Sequence, residues 1–377
     1  DLSGLSHALI DQLGPQQWPF PAGSERGTAR LYGDGVFPTE NGRARFLAEH
    51  YQAPQEKREA RFPLILNTGR LRDHWHGMSR TGTAAQLFGH VERAQLSMHP
   101  QDMQARALED GDLVSLSSRR GTLILPVQAD AQLRPGQSFL PMHWGDRYLK
   151  GLGSNSLTLS NHDPLSKQPE LKQAAVEVTR AELPWQLFVL VEGDVQQRFA
   201  QLRELAEAFD YLSMGLIGRE RPAVLLRAAA VQAPDAALLR QLDAACGLDT
   251  PQALSLEDSA RQVSKRIVLD GQRIVALRLG GETLARDWLR KLWQDGDDIT
   301  DLRRWLLAPV ASPPGVSAAA NDKIICNCMN VSQSRICAGI EQGMQLEDLK
   351  RELGCGTQCG SCVPEIKQLL VTAAVPA

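Results

Sequence analysis

Six of the seven cysteines fall within the last 52 residues, and four of them form two close pairs, Cys326-Asn-Cys328 and Cys359-Gly-Ser-Cys362. The 30 residues between the pairs are enough for two short helices that turn the chain back, so four thiols can converge on one inorganic centre. The intervening segment suits that path. Ser332 reads as the N-cap of a helix carrying Ile336 and Ile340, Leu346–Leu353 makes a second helix, and Pro364 suits the first turn of a third. The stretch 354–362 is dense in glycine, which lets backbone N–H groups approach the sulfurs of an iron–sulfur cluster closely. Spacing alone leaves two readings open, an iron–sulfur cluster or a four-thiolate zinc site. Cys337 reads as a helix-face residue, Cys355 as a non-ligand thiol near the loop, and the distant Cys246 as a small buried hydrophobe.

Seven cysteines in 377 residues exclude a disulfide scaffold. Lys and Arg total 41 against 44 Asp and Glu, so no global positive field favours nucleic acid or an anionic membrane surface. No apolar run is long enough to span a bilayer, and none looks like a secretory signal. The chain begins at Asp1, and residues 1–60 are rich in Gly and Pro without a long periodic helix, which reads as the tail of a larger upstream domain. On that expectation the chain is a fragment.

From residue 61 the texture changes to short apolar runs at 62–66, 113–116, 121–127 and 138–142, broken by turn residues such as Pro135-Gly136. The expectation is a β-rich barrel or sandwich over 61–181. In 185–310, strand-like runs alternate with helical ones, and Asp270-Gly271 between 265–269 and 273–279 signals a hairpin, giving an α/β middle domain. Residues 311–322 have linker composition, and 323–372 form the cysteine-bearing module. Gly151-Leu-Gly153 lacks the third glycine and following helix of a dinucleotide fingerprint.

The second dense region follows the first strand: Asn67-Thr68-Gly69-Arg70-Leu71-Arg72-Asp73-His74-Trp75-His76-Gly77, then Arg80-Thr81. Backbone N–H groups and Arg70 can hold phosphates, an Asp can accept from an exocyclic amine, and Trp75 offers a stacking face, so the composition suits a large polar cofactor. His74 and His76 are two apart, an awkward spacing for a helix-borne metal pair, and read as hydrogen-bonding groups.

Thr-Gly-Arg-x5-Trp-His-x3-Arg-Thr, running from Thr68 to Thr81, is similar to the C-terminal dinucleotide-binding domain of molybdopterin oxidoreductases, particularly bacterial nitrate reductases. The segments at 139–144, 155–159 and 163–172 match in order, and 37–46 resembles the lead-in, so the likeness covers about 30–180. It implies a double-psi β-barrel that caps bis-molybdopterin guanine dinucleotide. Dinucleotide contacts are then expected from Thr68, Gly69, Arg70, Leu71, Arg72, Asp73, His74, Trp75, His76, Gly77, Asn155 and Lys172. Met142 matches the position facing the substrate funnel, with His143 or Trp144 sharing that role. Gly77 replaces the Thr common in periplasmic relatives, so no hydroxyl contact is expected there.

The paired cysteines, with this helix order, resemble the bacterioferritin-associated-ferredoxin (BFD) type of [2Fe–2S] domain, a small all-α helix–turn–helix module. That likeness implies Cys326, Cys328, Cys359 and Cys362 as cluster ligands. The middle domain resembles the C-terminal interface domain of flavin-dependent nitrite-reductase-type oxidoreductases but lacks a flavin fingerprint, and reads as a docking or spacing unit. Together these features resemble the C-terminal part of the catalytic subunit of bacterial assimilatory nitrate reductases. The resemblance implies nitrate as substrate, a flavoprotein reductase or ferredoxin as electron donor, a cytoplasmic location, and a [4Fe–4S] cluster and the molybdenum ligand in parts absent from this chain, which alone is expected to be inactive. Three alternatives share some of these features: another molybdopterin enzyme such as a cytoplasmic formate dehydrogenase, a non-enzymatic ferredoxin partner for iron storage, and a zinc-stapled interaction protein.

Overall fold

The computed structural model describes residues 1–48, 50–314 and 322–374, so most of the 311–322 linker expectation lies outside the described residues. Contacts divide the chain into 1–53 and 54–377. The first unit is mostly irregular and holds one short helix, α1 (His7–Leu13), whose N-cap Ser6 accepts from the Leu9 amide. No described helix is long and apolar enough to cross a membrane.

In the second unit six strands close a barrel: β1 (Leu64–Gly69), β2 (Leu96–Met98), β3 (Leu113–Ser117), β4 (Thr122–Ala129), β5 (Gln137–Pro141) and β6 (Ala174–Arg180), in the order β1-β5-β2-β4-β3-β6. β1 runs parallel to β5 and β2 to β4, and the other pairings are antiparallel. Closure removes sheet edges, and alternation turns Leu64, Leu66, Val114, Leu116, Leu125, Val127 and Val178 into the interior. A short helix, α2 (Pro100–Gln104), follows β2, capped by the His99 side chain. The segment from residue 54 belongs with the barrel. Glu56 is buried, takes hydrogen bonds from Arg119 and Arg120 at 2.9 and 2.7 Å, and accepts from the Ala175 amide at 3.0 Å.

The middle sheet contains β7 (Trp185–Glu192), β8 (Tyr211–Ile217), β9 (Ala223–Ala230), β10 (Leu254–Asp258), β11 (Val263–Asp270) and β12 (Arg273–Gly280), ordered β10-β11-β12-β7-β9-β8. The helices α3 (Val195–Glu204), α4 (Ala236–Cys246) and α5 (Arg286–Asp295) intervene or follow. The expected mix of strands and helices is present, and every pairing in this sheet is antiparallel. The hairpin explains part of that, since Asp270 pairs with Arg273 across the two-residue turn Gly271-Gln272, and so short a loop can join only antiparallel neighbours. α5 buries Trp288, Leu289, Leu292 and Trp293 against Leu277 and Leu279. α4, capped by Asp235 and closed by left-handed Gly247, carries Asp243 inward to Arg278 of β12, 2.6 and 3.1 Å away through a two-pronged contact. Cys246 is buried, and burial pushes its thiol up to about 12.

The terminal module departs from an all-α reading. It pairs two short strands, β13 (Ile324–Cys326) and β14 (Val331–Ser332), before the helices α6 (Gln333–Glu341), α7 (Leu346–Leu353) and α8 (Val363–Ala374). Ser332 caps α6 by accepting from Arg335, and Pro364 sits in the first turn of α8. Ile325, Val331, Ile336, Leu349 and Ile366 form its core with Cys326, Cys355 and Cys362.

Candidate cofactor and cluster sites

The loop after β1 is built from two layers. Its floor is buried. His143, fully enclosed, accepts from the Leu71 amide at Nε2 (2.7 Å) and donates from Nδ1 to the His76 carbonyl, so one imidazole fixes the loop at two points. His74 lies under the loop against the rings of Phe88, Trp144 and His143, with Nδ1 3.3 Å from the Thr81 hydroxyl. Burial, reinforced by the neighbouring His143, pulls its pKa from 6.5 down to about 4, so this imidazole is neutral near pH 7. Burial also lowers His143. Among the described residues, Trp144 Nε1 is a buried polar atom without a hydrogen-bond partner.

The upper layer is exposed and cationic. Arg70 and Arg80 lie 5.7 and 5.9 Å from the ring centre of Trp75, and Arg70 Nη2 is 3.3 Å from His76 Nε2. His76 and Met78 adopt positive φ, which folds the loop tip back on itself. A flat aromatic face between two guanidinium groups suits a base and its phosphates. Beside it, Lys172 donates to the Thr68 carbonyl at 2.9 Å, and the Thr68 hydroxyl donates to the Leu171 carbonyl at 2.8 Å.

The expected contact set therefore separates. Thr68 and Lys172 come together, as do Arg70, Trp75 and His76, and Gly69 packs tightly on the Phe139 ring. Gly77 is exposed at the tip. Asn155 is exposed on a short turn next to β4. Of the funnel candidates, Met142 is half-buried, whereas His143 and Trp144 are interior residues that hold and floor the loop.

Arg72 and Asp73 face the cysteine module instead. Arg72 Nη1 donates to Glu365 on α8 at 2.7 Å, and Nη2 donates to the Ile325 carbonyl. His90 stands between two carboxylates, 3.2 Å from Asp73 and 3.2 Å from Glu365. Burial would raise the Glu365 carboxyl, but His90 and Lys323 override it and hold the group at about 2. Sequence reasoning missed Arg80, His90 and Glu365. Arg80 alone had a signal, as part of the loop motif.

Within the module Cys328 and Cys359 Sγ are 3.4 Å apart, and Cys326 and Cys362 neighbour each other in its buried core. Cys326 and Cys362 are buried, while Cys359 is exposed and 3.1 Å from the Ser361 hydroxyl. Gly356 and Gly360 have φ of +79 and +71°, which turns the loop between the helices without the strain a Cβ would bring. Cys355 is fully buried and bonds the Leu349 carbonyl, and Cys337 is half-buried on α6. Among the described residues, no group of three or more His, Cys, Asp or Glu side chains gathers at one ion-sized point. Four thiols with glycine turns beside them fit a dinuclear cluster, which takes two thiolates on each iron.

Two domain classes follow. Residues 64–175 match the Molydopterin dinucleotide binding domain, and residues 324–372 match the BFD-like [2Fe-2S] binding domain. The chain thus joins a module for a molybdopterin dinucleotide to one for a [2Fe–2S] cluster.

Among curated relatives, the chain is 28% identical to a nitrate reductase of Klebsiella oxytoca over 98% of its own length and 40% of that protein. It is 40% identical to a nitrate reductase of Synechocystis sp. over 48% of the chain and 26% of the relative. It is 30% identical to the assimilatory nitrate reductase catalytic subunit of Bacillus subtilis over 47% of the chain and 25% of the relative. The chain therefore spans 40% or less of the length of these relatives.

Proposed function

We propose that this chain is the C-terminal portion of the catalytic subunit of an assimilatory nitrate reductase. The observation that carries the reading is the alignment of nearly the whole chain, dinucleotide loop and cysteine module together, with a nitrate reductase. When bound, the molybdenum cofactor supplies the oxygen-atom transfer that takes nitrate, two electrons and two protons to nitrite and water. This chain's residues bind and orient. Arg70, Arg80 and Lys172 supply cations for the dinucleotide phosphates, Trp75 stacks a base, and Thr68, Gly69, His76, Gly77 and Asn155 complete the face in a barrel of the double-psi type. His143 fixes the loop backbone from below, and Met142 borders the funnel. Cys326, Cys328, Cys359 and Cys362 hold the [2Fe–2S] cluster, a reading supported by the match of 324–372 to the BFD-like [2Fe-2S] binding domain.

In this reading electrons enter from a cytoplasmic flavoprotein reductase or ferredoxin, pass through the [2Fe–2S] cluster, and reach molybdenum by way of a [4Fe–4S] cluster held outside this chain. Arg72 and Asp73 serve the junction between modules rather than the dinucleotide. The test is nitrite formation by the full-length protein with a reduced viologen, together with its molybdenum content. Nitrite production with stoichiometric molybdenum is expected. Formate oxidation without nitrate reduction, or a molybdenum-free protein from cells competent in cofactor synthesis, would overturn the proposal.

A further inference from the structure

The segment carrying Cys326 and Cys328 is gripped by arginines from two other parts of the fold. Arg72, on the barrel loop, donates to the Ile325 carbonyl while its other arm holds Glu365. Arg219, in the turn between β8 and β9 of the middle sheet, donates Nη1 to the Asn327 carbonyl at 2.6 Å and Nη2 to the Cys328 carbonyl at 2.8 Å. Three of the four carbonyls in 325–328 are thus taken by guanidinium groups from outside the module. Charge-assisted bonds of this kind are roughly twice as strong as neutral ones, and a forked donor fixes direction as well as distance.

The two arginines differ in electrostatic surroundings. Arg72 is balanced by Asp73 and Glu365. Arg219 forms no salt bridge among the described residues, and both its bonds go to neutral carbonyls flanking the cluster-binding thiols. Taking up an electron makes the cluster more negative, so an unbalanced guanidinium beside it favours the reduced form.

We propose that Arg72 and Arg219 are positioning residues that clamp the cluster loop between the dinucleotide loop and the middle sheet, and that Arg219 also raises the cluster's reduction potential. The middle domain is then the cradle of this chain's own cluster module. The proposal rests on the [2Fe–2S] reading above.

The test uses the full chain with a reconstituted cluster and compares R72Q, R219Q and R219K with the parent. Two readouts are taken: the midpoint potential from a redox titration followed by electron paramagnetic resonance, and amide hydrogen exchange across 324–332, with β7 and β9 as the folding control. R219Q should lower the potential. R219K, which keeps the charge and loses the fork, should stay near the parent potential. R72Q and R219Q should both speed exchange across 324–332 while β7 and β9 remain protected. A parent-like potential in R219Q would overturn the tuning role, and parent-like exchange in both glutamine variants would overturn the clamp. A parent chain that takes up no [2Fe–2S] cluster would overturn the cofactor reading and the tuning role with it, while exchange would still decide the clamp.

Discussion

His74 gives a prediction whose size can be worked through. It is 6% exposed, packed against Phe88, Trp144 and His143, with Asp73 and His90 as its other charged neighbours. Its folded pKa is about 4 against an ordinary 6.5. The unfolded imidazole takes up a proton as pH falls below about 6.5, whereas the folded one holds off until about pH 4, so acid favours the unfolded chain across that window. At pH 7 the penalty is close to zero, and by pH 5 it reaches about 2 kcal/mol. His74→Gln removes the titration, so the variant should lose about 2 kcal/mol less stability than the parent between pH 7 and pH 5, whatever its absolute stability. Urea unfolding at the two pH values, followed by tryptophan fluorescence, measures the difference. Equal losses in parent and variant would show that His74 is accessible to protons in the folded chain and that the buried floor of the loop is wrongly drawn.

Asp243→Asn should strip Arg278, 1% exposed, of its charge partner and destabilise the middle domain by about 3–5 kcal/mol, read as a lowered thermal midpoint. A loss below about 1 kcal/mol would mean that water reaches the pair. Trp75→Ala, made in the full-length protein, should reduce co-purifying molybdopterin dinucleotide several-fold while leaving the [2Fe–2S] spectrum unchanged, since the ring is exposed and, among the described residues, its ring and cation contacts are Arg70, His76 and Arg80. Parent-level cofactor content would remove Trp75 from the binding face.

Chemistry confined to short stretches of chain was the legible part. The paired cysteines, the Ser332 cap, the Asp270-Gly271 hairpin and the loop from Thr68 to Thr81 each announce themselves through local spacing, and the cap, the hairpin and the loop stand on the elements expected of them, whereas Cys326 ends a short strand in a module expected to be all helix. Strands without a period-2 pattern were harder. Residues 211–217 are buried on both faces and carry no alternation, and 174–180 closes the barrel only by pairing with strands far away in sequence. The junction was illegible for the same reason. Arg72 and Asp73 sit inside a cofactor motif, yet their partners are Glu365 and His90, distant in sequence and marked by no motif of their own. Nothing at Arg219 announces that its guanidinium reaches backbone carbonyls beside a cysteine pair 108 residues on.

The account stands most directly on what the four paired thiols hold. Iron, acid-labile sulfide and zinc should be measured in the purified chain, alongside the electron paramagnetic resonance spectrum after dithionite reduction. About two irons and two sulfides per chain, with a rhombic or axial signal from a reduced [2Fe–2S] cluster, are expected. One zinc per chain, with no visible absorption and no paramagnetic signal on reduction, would contradict it.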